Sequence, residues 1–454
     1  IIVFLLFDYW KTEQKIMYPN FQNTNNYNNK IIDLKDTLNL SNEIYKSAND
    51  DSNNASNNNT DDMFIMSDFI DIKTDLYNIK IDLNGGNIIF LELLKYPISN
   101  FENSSGFVLF DTSDIRTYVP LSGLLDEKNP DLDLSNIKFS CDNKNYVMEN
   151  SKEFYIDLNY KTKQNINFTK RYHFKSKNYL INVEYIVNNK SDKPYYGYMY
   201  GKLKQTERQN NDNFLMMSAR SYVGGAMYTP EKHYKKISFS DIKSDKKFNQ
   251  QIFGGWIAMV EHYFLGAWVP SISDEIFYCS EKYNDYLYGL TFICKKPLIV
   301  EPGETKSIKS DLFAGPQIAD ELKNISDGLK LTIDYGILWP IAQPIFWLLK
   351  KSYHFFENWG FAIIITTLII KLLFYQLSAS SYKSMGKMKR LQPRINLIKE
   401  NCGEDKTKFS KAIMDLYKHE KVNPLGGCLS VLIQIPVFIS LYYVLLESVE
   451  LRHA

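Results

Sequence analysis

The chain has 454 residues, of which 44% are hydrophobic, 15% aromatic and 23% charged, with a formal net charge of +1. Such neutrality argues against nucleic-acid binding, and the negative mean hydropathy describes a soluble average, so any membrane part is local. The five cysteines (Cys141, Cys279, Cys294, Cys402, Cys428) show no CxxC spacing, so neither a zinc knuckle nor a redox pair is indicated. Cys279 and Cys294 fall in neighbouring strand-like runs and can pair if that region is exported, although spacing does not fix connectivity.

In chain order, "IIVFLLFDYW" (1–10) looks like the end of an apolar segment, where a cleaved signal peptide and an uncleaved anchor read alike. Residues 11–62 are rich in Asn, Asp and Ser and offer little apolar surface to bury, the composition of a disordered tether. From 63 to 325 the texture is short alternating runs. "YLINVEYIV" puts Ile181, Val183, Tyr185 and Val187 on one face of a strand, with Asn182 and Glu184 on the other. "KEFYIDLNY", "NINFTKRYHF", "GGWIAMVEHYFLGAWVP" and "DYLYGLTFIC" read the same way, separated by turn chemistry such as "NNKSDKP" and "VEPGET". A large antiparallel sandwich is expected.

Residues 326–358 include "ILWPIAQPIFWLLKKSYHFFENWG", apolar and rich in Trp and Phe, with Pro340 and Pro344 inside it. Trp339, Trp347 and Trp359 suit a membrane–water interface, so an interfacial amphipathic segment is expected, with a helix packed on the sandwich as the alternative. The next run, "GFAIIITTLIIKLLFYQL" within 359–378, is long enough to span a bilayer. Residues 379–427 follow as a basic helical hairpin. From Ser378 to Gly427 there are eleven Lys/Arg against five Asp/Glu, an excess that places the hairpin in the cytoplasm and the sandwich outside. Its cations include Lys387, Lys389, Arg390, Arg394, Lys406 and Lys418. A second span, 428–450, returns the chain outward, and 451–454 begin a further connection.

Lys371 lies inside the first of these spans, where a charge costs on the order of 2.5–3.5 kcal/mol. Either it snorkels to the cytoplasmic surface, or it faces a hydrated cavity. Thr367 sits one turn away on the same face, while Thr366 falls nearly opposite. The next span adds Gln434, Pro436 and Ser440, and two polar patches on neighbouring helices favour a shared cavity. No GxxxxGK[ST], HExxH or GxSxG occurs, the six His are scattered, and "VEHYF" around His262 reads as a strand. An enzyme, a cofactor and a metal site are not expected.

"LTIDYGILWPIAQPIFWLLK", "NWGFAIIITTLIIKLLFYQLSASSYKSMGKMKRLQPRINLIKE" and "LYKHEKVNPLGGCLSVLIQIPVFISLYYVLLESVELR" closely resemble the YidC membrane protein insertases of Gram-negative bacteria. Upstream, "SYVGGAMYTPEKHYKKISFSDI", "GGWIAMVEHYFLGAWVP" and "VEPGET" look like that family's periplasmic domain, and "IIVFLLFDYW" like its uncleaved first span. The resemblance covers nearly the whole chain apart from the tether.

It implies a multidomain inner-membrane protein: an all-β periplasmic supersandwich, then an α-helical membrane domain with a cytoplasmic helical hairpin. The implied function is insertion and folding of nascent transmembrane segments through a hydrophilic groove, without ATP, alone or with the Sec translocon. The implied partners are nascent membrane proteins, the Sec translocon, the ribosome and membrane lipids, with no nucleic acid beyond ribosome docking. The family's central groove cation is usually Arg, and Lys371 matches it. Thr367 and Gln434 match other groove positions, and Ile435 and Phe438 match positions where the nascent chain slides. Lys keeps the charge but loses the planar fork for a carboxylate. The family normally has three further spans after "SVELR", so the chain reads as ending after its third. The alternative is a membrane-anchored periplasmic glycan-binding or scaffold protein.

Overall fold

The computed structural model describes residues 68–101, 104–113, 116–128, 132–149, 151–207, 222–244, 248–402, 406–420 and 426–453. The expected first-span remnant (1–10) and tether (11–62) lie outside them. The described residues fall into two compact units that divide between Ile333 and Asp334.

The first unit is a β-sandwich. Its strands are β1 (Phe69–Lys73), β2 (Tyr77–Asp82), β3 (Asn87–Pro97), β4 (Gly106–Thr112), β5 (Thr117–Asp126), β6 (Asn145–Val147), β7 (Glu153–Lys161), β8 (Ile166–Lys175), β9 (Leu180–Asn189) and β10 (Tyr195–Thr206). There follow β11 (Val223–Met227), β12 (Lys235–Ile237), helix α1 (Phe239–Lys243), β13 (Asn249–Phe253), β14 (Ile257–Glu261), β15 (Phe264–Pro270), β16 (Glu275–Lys282), β17 (Leu287–Cys294), β18 (Leu298–Val300), β19 (Thr305–Pro316) and helix α2 (Ala319–Ile325). One sheet has eleven strands in the order β13-β16-β17-β10-β5-β4-β3-β2-β1-β6, with β18 also on β10; the other has eight, β12-β11-β14-β15-β19-β9-β8-β7. Pairing is antiparallel, as expected, except that β6 joins β1 in parallel.

The alternation in "YLINVEYIV" is the alternation of β9: Ile181, Val183, Tyr185 and Val187 are buried between the sheets, and Asn182 and Glu184 are half-buried on the other face. The "GGWIAMVEHYFLGAWVP" run departs from the simple pattern. Its β14 and β15 are buried on both faces, and His262 is not in a strand but in the two-residue turn between them, at φ 39°. At the β2–β3 turn, Gly85 and Gly86 take φ of 77° and 59°. A Cβ on Gly85 would stand 2.2 Å from the Ser135 carbonyl, so only glycine fits there.

Polar side chains tie the sheets together through the apolar interior. Tyr118 on β5 donates to the Met259 carbonyl at 2.5 Å and accepts from the Gly266 amide at 2.7 Å. Tyr77 on β2 donates to the Ala314 carbonyl at 2.7 Å, and Ser122 meets Tyr185 hydroxyl to hydroxyl at 3.0 Å. These links fix the inward faces: Tyr118, Ser122, Leu203 and Gln205 point to the second sheet, so Tyr200, Lys202 and Lys204 point away from it.

Cys279 on β16 stands opposite Thr291 on β17, while Cys294 stands opposite Ile276. The two cysteines are therefore three pairs out of register and on opposite faces. Three residues of strand span about 10 Å, beyond disulfide reach. Both are free thiols.

The second unit is helical: α3 (Trp339–Phe356), α4 (Trp359–Leu373), α5 (Tyr375–Cys402), α6 (Lys406–His419) and α7 (Gly426–Glu447). The molecule is thus a β-sandwich followed by helices.

Candidate functional site

Helix α3 starts with Pro340 in its first turn, where a missing N–H costs nothing, and buries Ala342, Ile345, Leu349 and Ser352 along one face. Its opposite face leaves Trp339, Trp347 and Phe355 exposed. Glu357, in the left-handed conformation, stops it by donating its amide to the Tyr353 carbonyl at 2.7 Å. Asn358 then caps α4 by accepting from the Phe361 amide at 3.1 Å. Ala362 and Thr366 are the buried face of α4, and Thr366 reaches Ser352 of α3 at 3.5 Å, hydroxyl to hydroxyl. Tyr353 and Trp359 stack at 3.9 Å across the same junction.

The run Gly360 to Leu377 is not one helix. α4 ends at Leu373, the Phe374 amide bonds the Ile370 carbonyl at 3.2 Å, and α5 leaves at an angle of 62°. Lys371 therefore sits in the last turn of α4 rather than about six residues inside the end of one longer helix. It is exposed there, at the carbonyl end, where a cation is favoured by the helix dipole. Thr367, one turn back, is half-buried and donates to its own helix, to the Ile364 carbonyl at 2.8 Å.

Gln434 on α7 is half-buried and points its amide at Ser378 of α5, 3.5 Å away. Ser440 is buried and donates to the Pro436 carbonyl of its own helix at 2.7 Å. Ile435 is exposed and Phe438 half-buried. The structure thus brings Lys371 and Thr367 onto one face and sets Gln434 against α5. The polar residues that sequence reasoning passed over are Ser352, which meets Thr366, then Ser378 and the buried Ser381. A signal for the last two existed: "SASSYKS" places Ser378, Ser381 and Ser384 three residues apart, on one helical face.

The hairpin arms α5 and α6 are closed by an ion pair, Arg394 to Glu420 at 2.5 Å. Lys387, Lys389, Arg390, Arg394 and Lys418 are exposed; Lys406 begins α6, and its side chain lies outside those described. Among the described residues no group of His, Cys, Asp or Glu is arranged to hold a metal. Among them, too, no single helix is long and apolar enough to cross a membrane, although α4 and α5 taken together pass that test.

The family profile described as YidC periplasmic domain matches residues 69–348, and that described as 60Kd inner membrane protein matches 351–454. The chain belongs to the YidC family. It is 43% identical over 394 residues to the membrane protein insertase YidC of Cellvibrio japonicus, covering 85% of this chain and 70% of that one. To the YidC of Stutzerimonas stutzeri it is 40% identical over 392 residues, covering 86% and 69%. A solved galactose mutarotase related enzyme from Lactobacillus acidophilus aligns with 54% of this chain and 97% of its own at 10% identity, with a TM-score of 0.34. That likeness is too slight to carry an argument. In this YidC-family chain the sandwich lies within the periplasmic-domain match and α4 to α7 within the inner-membrane match.

Proposed function

We propose that this chain inserts nascent transmembrane segments into the bacterial inner membrane, with Lys371 as the charge that receives them. Family membership supports insertion. The observation that carries the role of Lys371 is its place: an exposed ammonium in the last turn of an otherwise apolar helix, with Thr367 on the same face. In this reading α4 with the first turns of α5, and then α7, cross the membrane. The sandwich lies in the periplasm, and the basic α5–α6 hairpin in the cytoplasm receives the substrate.

The work is physical rather than covalent. α4 has 15 residues, about 22 Å of helix, against about 30 Å of hydrocarbon, so the first turns of α5 complete the crossing and Lys371 sits beside the bend, short of the cytoplasmic surface. A fixed cation there attracts the acidic or polar leading tail of a nascent segment and shortens the apolar path it must cross. Burial of the segment in lipid, at about 25 cal/mol per Å², then drives release without ATP. Gln434, Ile435, Phe438 and Ser440 of α7 form the other wall of the path. The hairpin cations meet the ribosome and anionic headgroups, and insertion proceeds alone or with the Sec translocon.

Photocrosslinking in the full-length protein tests this, with a probe at Thr367 and a control at Ile369 on the opposite helix face. Ribosomes stalled on a short membrane protein with an acidic tail supply the substrate. Crosslinks from Thr367 and not Ile369 are expected; equal yields from both, or none, would leave Lys371 as a snorkelling lysine.

A further inference from the structure

The outward face of the larger sheet carries a cluster that insertion does not use. Lys202 and Lys204 lie two residues apart on β10 and so point the same way. Lys202, almost fully buried, pairs with Glu281 of β16 at 2.9 Å. Glu281 carries three further donors, the Thr291 hydroxyl at 2.7 Å, the Tyr283 hydroxyl and the Cys279 thiol at 3.9 Å, and is saturated. The Tyr283 ring lies close over Gly289 of β17, where a Cβ would stand 2.8 Å from it. Both lysines approach that ring, the Lys202 ammonium at 5.2 Å and that of Lys204 at 4.3 Å from its centre.

Lys204 is left over. It is half-buried, and among the described residues it has the Tyr283 ring and no carboxylate. Burial, and then the charge of Lys202, push its amine down to about 8, with Glu281 pulling only weakly the other way. The cluster thus holds two ammonium groups against one carboxylate whose lone pairs are taken. A second negative group would relieve both the burial and the repulsion.

We infer that Lys204, on the ring of Tyr283, is the centre of an oxyanion site that takes a carboxylate or a phosphate group. The partly covered ammonium, held in place by the ring, gives the anion a charge-assisted hydrogen bond away from bulk water.

The test is competitive acylation of the full chain in detergent at pH 7, at constant ionic strength in chloride, acetate or phosphate. The labelling of Lys204 and of the exposed control Lys232 is read by mass spectrometry. An anion that raises the Lys204 pKa by one unit cuts its free amine, and so its labelling, about tenfold, while Lys232 is unchanged. Slowing by acetate alone assigns a side-chain or terminal carboxylate, and slowing by phosphate alone assigns a phosphate ester. Equal labelling in all three salts overturns the site. A thermal upshift in the effective anion should also vanish in Lys204→Met and persist in Lys204→Arg. Persistence in Lys204→Met would overturn the assignment to this residue.

Discussion

The ammonium of Lys170 lies 2.9 Å from the side-chain oxygen of Asn87, across the interior of the sandwich from one sheet to the other. It also reaches the Gly85 carbonyl at 3.2 Å and the Ser122 carbonyl at 3.4 Å, between the rings of Tyr172 and Tyr185. Lys170 is 0% exposed, and among the described residues no carboxylate bonds it. Burial holds its amine well below the ordinary lysine range, and the charge of Asp133 only partly offsets this.

The first prediction follows from that depression. Between the lowered folded pKa and the unfolded value of about 10.4, the unfolded chain binds more protons than the folded one. Stability therefore rises with pH across that window, by up to about 1.4 kcal/mol per pH unit for one group. Below the folded pKa the full cost of burying the charge is present. Urea unfolding of the full chain, read by proteolysis within β8 and β9 at pH 7 and 9, checks this. Wild type should gain stability on Lys170→Met as pH rises; parallel curves would show that Lys170 does not titrate with folding.

A second link behaves in the opposite way. Glu261 at the end of β14 is buried and accepts from Arg116 at 2.7 Å and from Gln205 at 2.8 Å, joining the β4–β5 loop and β10 to the other sheet. Arg116 also donates to the Val108 carbonyl at 2.8 Å. Glu261→Gln keeps the shape and leaves the guanidinium without its counter-charge. Breaking a buried pair costs about 3–5 kcal/mol, and the partial exposure of Arg116 puts this one at the lower end. A midpoint shift worth less than about 1 kcal/mol would mean that water replaces the carboxylate.

The register of β16 and β17 makes a third prediction. Cys279 and Cys294 stay reduced even in an oxidising compartment. Burial raises the Cys279 thiol far above its ordinary range and pushes Cys294 up to about 12, so little thiolate forms at pH 8. Iodoacetamide should spare both in the native chain and label both in urea without reductant, as read by mass. A pair that labels only after reduction would refute the register.

How much of this was legible in the sequence depends on what each element must bury. β9 was plain because one face is dry and the other is not. β14 and β15 were legible as strands, but their two covered faces were not, because burial on both sides erases the period of two. Lys170 was visible in principle: Ile166, Phe168, Lys170, Tyr172 and Phe174 alternate along β8, and the lysine stands in the apolar register. The break at Phe374 was not, since "LLFYQL" holds neither proline nor glycine to mark it. The free cysteines needed a register, which strand spacing does not supply. In the helical unit Lys371 and Thr367 could be paired by counting turns, whereas the Gln434 contact with Ser378 depends on how α7 meets α5.

The last prediction concerns Lys371 itself. If its charge receives substrate, function should follow the sign of the side chain rather than its volume. A carboxylate at 4 Å from the ammonium gains about 1 kcal/mol in water and about 4 kcal/mol near a protein surface. Lys371→Ala should then slow insertion of a substrate with an acidic tail by at least about fivefold, the smaller of those energies. Lys371→Glu should slow it more, and Lys371→Arg should restore it, the guanidinium adding a bidentate contact. The same variants should change little for a substrate whose tail carries no acid. Insertion into proteoliposomes, read by protease protection with both substrates, separates the cases. Equal losses for acidic and neutral tails would mean that Lys371 shapes the end of α4, through the helix dipole and the bend at Phe374, and does not meet the substrate charge.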